Sequence, residues 1–257
     1  MRNPWPKVVR KITRWSSVSQ HASIDTIAHQ QQRFLYSPRA KWAVDRAWME
    51  PYRDILMHDA IPAAGQDETR ILDRRFTIVE AARSVRSLEG STAECGVYRG
   101  VGSGLMCAVL DGTYAQGSYH FGFDSFEGLP APTGEDHDSD GKTVWAEGGL
   151  TMPEEYAAAV LANFDFCRLI KGWIPQTLTT AAEHRFRFVH FDLDLYQSSL
   201  DALEFFYPRM VPRGVMLFDD YGLCSCPGAR RAVDEFFAER PDFIMELTSC
   251  QALAVKC

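Results

Sequence analysis

The chain has 257 residues, 46% of them hydrophobic, which is enough to bury a large core as one α/β domain with an extension rather than as two full domains. Its formal charge of −7 argues against a nucleic-acid partner, because phosphate binding depends on clustered Lys and Arg that release counterions. No run reaches the roughly 20 apolar residues of a membrane-spanning helix, the N-terminus lacks a signal-peptide core, and seven cysteines, odd in number, read as buried thiols of a reducing cytoplasm.

Near the N-terminus, Trp5, Val8, Val9, Ile12 and Trp15 recur at helical spacing with Lys7, Arg10, Lys11 and Arg14 between them. The pattern is an amphipathic helix expected to pack on the parent domain or a sister subunit, with an anionic membrane surface as the alternative. Helical signals continue through residues 1–88, broken at 61–67 by Pro62 and Gly65, and predict a helical extension. From Ser91 onward short strand-like runs alternate with helical ones, at 92–95, 120–123, 167–171, 186–191 and 215–218, then 243–247 and 252–255. Five βα units and two closing strands predict an α/β domain over 89–257, with a seven-stranded, mostly parallel sheet. Residues 130–149 form the one long irregular loop, of a length that often serves as a lid.

The first predicted strand runs into Glu94, Gly96, Tyr98, Gly100, Gly102 and Gly104, a turn whose glycines let a ligand approach the backbone. The spacing is not the dinucleotide fingerprint G-x-G-x-x-G. Asp124 ends the second strand, where a carboxylate can accept from both hydroxyls of a ribose. An adenosine-containing cofactor suits it, although an acid at this distance also serves nicotinamide enzymes and Asp can simply cap a turn.

Asp192 and Asp194 follow the fourth strand, and Asp219 and Asp220 follow the fifth. If those strands are neighbours, Asp192, Asp219 and Asp220 converge, and three like charges there require a cation. Oxygen-only ligation favours Mg²⁺, with Ca²⁺ or Mn²⁺ as substitutes. Asp194 reads as a helix cap or an arginine partner, His190 as structural, and the pair Cys224 and Cys226 as structural for want of further zinc ligands.

The stretches Glu94 to Gly100, Asp124 to Pro130, Lys171 to Trp173, Asp192 to Ser198 and Asp219 to Gly222 resemble the macrocin, mycinamicin and novobiocin type of sugar O-methyltransferases. That resemblance implies a Rossmann-like class I fold binding S-adenosylmethionine (SAM), with helices on both faces of the sheet, Mg²⁺ dependence, and methylation of a hydroxyl on a sugar or glycosylated small molecule. Carried over by position, Glu94, Gly96 and Tyr98 line the methionine end of SAM, Asp124 and Ser125 hold the ribose, and Gly172 and Trp173 border the adenine. Asp192, Asp219 and Asp220 become the metal ligands, and Asp192 the favoured general base, with His137 of the long loop as second choice. The family's N-terminal region often forms a lid and oligomer contact, so a homo-oligomer is expected. One departure is His190, Phe191 and Leu193, where the family usually has Arg, Leu and Gly; it leaves the metal set intact and bears on the acceptor pocket. The long loop and the N-terminus are expected to close over the acceptor, with Trp145 on a sugar face and Asp136, Asp138 and Asp140 meeting its hydroxyls. A catechol-type phenolic acceptor is the alternative within the fold. A nicotinamide oxidoreductase lacks its fingerprint here, and a non-catalytic SAM-binding protein has no use for the acid trio.

Overall fold

The computed structural model describes residues 48–56 and 68–257, so the amphipathic N-terminal segment and the break at 61–67 lie outside the described residues. In chain order the elements are α1 (Arg53–Leu56), α2 (Glu68–Ser84), β1 (Ser91–Cys95), α3 (Val101–Leu110), β2 (His120–Asp124), α4 (Glu154–Leu161), β3 (Cys167–Lys171), β4 (Phe186–Phe191), α5 (Tyr196–Phe206), β5 (Met210–Phe218), α6 (Pro227–Phe237), β6 (Ile244–Glu246) and β7 (Ala252–Val255). The seven strands form one sheet in the order β3-β2-β1-β4-β5-β7-β6. The first five pair in parallel and β7 pairs antiparallel with both β5 and β6. Among the described residues no helix is long and apolar enough to cross a membrane.

Alternation along the strands divides the sheet into two unlike faces. Ala93, Cys95, Phe121, Phe123, Val189, Phe191, Met216 and Phe218 share an apolar core with Leu203 and Phe206 of α5 and Val233, Phe236 and Phe237 of α6. The intervening positions are buried as well, but several are polar: Thr92, Glu94, His120 and His190. They face α3, whose Ser103 hydrogen-bonds both Glu94 and His120. Burial on both faces is what a central parallel sheet imposes, and it explains why β4 reads as an unbroken buried run.

The expected boundary at 88/89 is not a structural division. Helix α2 belongs to the same compact unit as the sheet. Its Ile78, Val79, Ala82 and the following Val85 are completely buried, so its apolar face is part of the core rather than of a detachable extension.

The long loop is anchored rather than free. Its neck closes through Leu129 N to Gly149 O (2.8 Å) and Gly148 N to Leu129 O (2.9 Å). Asp136, expected to offer its carboxylate to an acceptor, is 2% exposed and turned inward. One oxygen accepts from Thr133 N (2.8 Å) and the other from Tyr196 N (2.7 Å), so this residue supplies the cap of α5 from sixty positions away. An ion pair from Glu135 to Arg231 ties the loop to α6 as well. Asp138 is likewise engaged locally, accepting from Asp140 N and Lys142 N. Replacing Asp136 with Ala should therefore cost about 1–2 kcal/mol in urea unfolding and expose residues 130–149 to protease, because one cap and a buried anchor are lost together.

Candidate active site

At the carboxyl edge of the sheet, residues at or just beyond the strand ends add one more hydrogen-bonded rung. Gly172 N donates to Asp124 O (2.8 Å), Gly96 N to Phe123 O (2.9 Å), Asp192 N to Cys95 O (2.8 Å) and Asp219 N to Phe191 O (2.8 Å). Read across the sheet, the edge is Gly172, Asp124, Gly96, Asp192, Asp219. The glycine turn and Asp124 stand over β1 and β2, the acids stand over β4 and β5, and the halves meet where β1 is flanked by β2 and β4. Such a switch point is where open α/β sheets form ligand crevices.

Gly96 marks the border. Its φ is +86°, and a Cβ there would lie 1.7 Å from the carbonyl oxygen of Asp192, so only glycine lets β1 and β4 release their chains this close together. Beneath the turn, Glu94 is 1% exposed. Its Oε2 accepts from the backbone N and the hydroxyl of Ser103, while Oε1 lies 2.8 Å from His190 Nδ1. Burial by itself would raise this carboxyl, but the hydrogen bond and charge of His190, with the Ser103 hydroxyl, hold it below the usual glutamate value. Glu94, expected to line the methionine end of the cofactor, has both oxygens bonded inside and braces the turn from behind.

Asp124 is half-buried and fastens the turn to β2. Its Oδ2 accepts from Val97 N (2.8 Å) and Tyr98 N (2.7 Å), and Oδ1 from Phe126 N (2.7 Å). Burial pushes the carboxyl up against the pull of those three donors. A carboxylate offers about four acceptor directions, so one stays open for a further donor. Ser125 donates its proton to Gly128 O (2.9 Å), which leaves it an acceptor only. Past β3, Gly172 is followed by Trp173, a residue 38% exposed at the same edge.

The acids do converge, and on a cation. Nη2 of Arg74, from α2, is in contact with Asp219 Oδ2, 3.5 Å from Asp220 Oδ1 and 4.0 Å from Asp192 Oδ1. Asp219 and Asp220 are almost fully buried, whereas the side chain of Asp192 keeps 28% of its surface exposed. Three carboxylates gathered around one positive nitrogen offer the hard oxygen donors that a divalent ion takes. His190 links this set to the cofactor turn, with Nε2 3.1 Å from Asp219 Oδ1, and Gln251 of the strand-leading turn donates to the same oxygen. Asp194 is no helix cap: Leu195 stands at the N-cap of α5, and the first helical N–H, that of Tyr196, donates to Asp136. It is buried with φ +58°, its carboxyl driven well above the usual range by burial and by the charges of Asp220 and Asp192. Cys226 donates to it at 3.4 Å while Cys224 is exposed, which agrees with a structural reading of that pair. His137 is half-buried on the anchored loop, just past Asp136. Sequence reasoning missed Arg74, Gln251 and the bridging place of His190: nothing in a helical Arg or a strand His signals which acid it will meet.

A seven-stranded sheet of this order, with a glycine turn after β1 and acids at the ends of β2, β4 and β5, is the class I SAM-dependent methyltransferase fold. The chain belongs to the macrocin O-methyltransferase (TylF) family, whose model matches residues 18–251. It is 35% identical over 146 residues to the 8-demethyl-8-(2,3-dimethoxy-alpha-L-rhamnosyl)-tetracenomycin-C 4'-O-methyltransferase of Streptomyces olivaceus, covering 54% of this chain and 56% of that one. Identity to the demethyldecarbamoylnovobiocin O-methyltransferase of Streptomyces niveus is 30% over 159 residues, 60% of each chain. The match thus spans under two thirds of the length of these relatives. The solved O-methyltransferase NovP superposes with a TM-score of 0.59 at 27% identity, covering 72% of this chain and 80% of its own.

Burial, then the charge of Asp220, push the Asp192 carboxyl from 3.8 up to about 6. The folded state then holds this proton more tightly than the unfolded chain, so the group costs stability progressively as pH rises from about 4 through 6. In EDTA the wild-type melting temperature should fall between pH 5 and pH 7 by more than that of Asp192→Asn, which has no such proton to lose; calorimetry at the two pH values measures the difference.

Proposed function

We propose that this protein transfers a methyl group from SAM to a hydroxyl of a sugar or glycosylated small molecule, with Mg²⁺ held by Asp192, Asp219 and Asp220. The observation that carries the reading is the shared border: the cofactor-type turn at Gly96 and the acid set at Asp192 touch backbone to backbone. A methyl donor on one side and an acceptor oxygen on the other would meet there. Supporting the acceptor class are the family and the relative named for a rhamnosyl compound.

When bound, SAM supplies an electrophilic methyl on its sulfonium, and a divalent ion supplies Lewis-acid lowering of a hydroxyl's proton affinity. The chain's own residues must do the rest. Gly96 and Tyr98 make room beside the methionine end, Asp124 receives a ribose hydroxyl, and Gly172 with Trp173 borders the adenine. Asp192, the most exposed acid of the trio, is placed to accept the acceptor's proton at its carboxylate. His137 is the second candidate for that proton. Arranging the acceptor at Asp192 beside the turn turns a bimolecular displacement into an oriented one, and the anchored loop 130–149 limits water around it.

Isothermal calorimetry should find micromolar or tighter binding of S-adenosylhomocysteine and none of NAD; preference for NAD would refute the cofactor. In a methyl-transfer screen over sugars, glycosylated metabolites and catechols, EDTA should abolish turnover and Mg²⁺ restore it. Asp219→Asn and Asp220→Asn should lose the metal response, and Asp192→Asn should lose about 10²-fold or more in kcat. Turnover of catechols alone would move the acceptor to the phenolic class, and full activity in EDTA would remove the metal.

A further inference from the structure

We infer that Arg74 is an internal counter-cation that occupies the acid site and competes with the divalent ion for it. This rests on the metal reading and adds its regulation. Arg74 Nη2 stands among oxygens of all three carboxylates, in contact with Asp219 and 3.5 Å and 4.0 Å from Asp220 and Asp192. A divalent ion ligated by the same oxygens needs distances of about 2.0–2.6 Å from each. Ion and guanidinium cannot share that space.

The arrangement is physically reasonable for both states. Without the ion, Asp219 and Asp220 are buried at 1% and 4% exposure with like-charged neighbours, and an uncompensated cluster of this kind is destabilising. Arg74 neutralises part of it, together with His190 at Asp219 and the field of Arg75 at Asp192. With the ion bound, Arg74 has somewhere to go: its side chain is 25% exposed, on a long stem that can swing its head into water. The exchange links the acid site to α2, because the departing arginine gives up the hydrogen bonds it makes to the Asp219 carbonyl and the Asp220 carboxylate. The protein thus resists empty-site collapse at the cost of weaker metal affinity.

Two readouts test this without reference to turnover. Mn²⁺ is titrated into the full-length wild type, Arg74→Ala, Arg74→Gln and Asp219→Asn, free aquo ion being followed by electron paramagnetic resonance. Melting temperatures are taken in EDTA and in excess Mn²⁺. Loss of a unit charge at this distance should tighten Mn²⁺ binding roughly tenfold or more in the two Arg74 variants, while their EDTA melting temperatures fall and their Mn²⁺-induced rises grow. Arg74→Gln keeps much of the side chain's packing should Arg74→Ala fold poorly. Tight binding by the wild type with equal or weaker binding by both Arg74 variants overturns the competition and leaves Arg74 a structural ion-pair partner. Absence of Mn²⁺ binding in every form overturns the metal reading and this inference with it.

Discussion

The bridge from Glu94 through His190 to Asp219 fixes the cofactor turn to the acid set, and most of the site's geometry depends on it. It runs across the interior from β1 through β4 to the end of β5, at 2.8 Å and 3.1 Å on the two sides of one imidazole. The same chain of contacts continues outward. Ser103 and His120 extend it to Thr92 on one side, and Gln251 with Ser249 extends it beyond Asp219 on the other. His120, bonded at both ring nitrogens and driven by burial down to about 4, is a neutral link in that chain and not a metal ligand beside Cys107 and Cys167. Buried polar chains are tolerated only when their members are satisfied, and a satisfied one sets a single register. Here it makes the sheet's polar face a frame that carries the site.

Against that frame stands a cluster of acids that folding alone would not gather. Asp192, Asp194, Asp219 and Asp220 crowd the ends of two neighbouring strands, and burial with mutual repulsion drives Asp192 and Asp194 upward. A cluster of this kind persists when something positive rewards it. Arg74 does so from α2, and the same oxygens are of the hard donor type that a divalent cation would take.

The long loop joins this arrangement by an exchange of roles. An acid read as a ligand for substrate, Asp136, caps α5 instead, and the acid read as that cap, Asp194, is left inside next to Asp220. Capping from a remote loop does two tasks with one carboxylate: it satisfies one free N–H at the helix start, that of Tyr196, and pins the loop to α5. The loop's position is therefore set by its neck at Leu129 and Gly149 and by its anchors on α5 and α6.

Much of this was legible in the sequence because it is local. Strand runs alternating with helical ones specify a parallel sheet, and the observed strands lie within a few residues of the expected ones, β5 alone starting well earlier at Met210. Glycines and acids directly after strands must lie on one edge, since parallel strands all end there, so Gly96, Asp124, Gly172, Asp192, Asp219 and Asp220 were placed by chain order alone. What chain order does not contain is which side chain faces which across the interior. The inward turn of Glu94, the bridging of His190, the exchange of Asp136 for Asp194 at the α5 cap, and the arrival of Arg74 from a helix read as part of an extension all join residues 26 to 145 positions apart. Those pairings were decided only when the sheet closed and its helices docked, because a hydrogen bond or ion pair depends on direction and distance in space, and sequence periodicity records only the face a side chain leaves from.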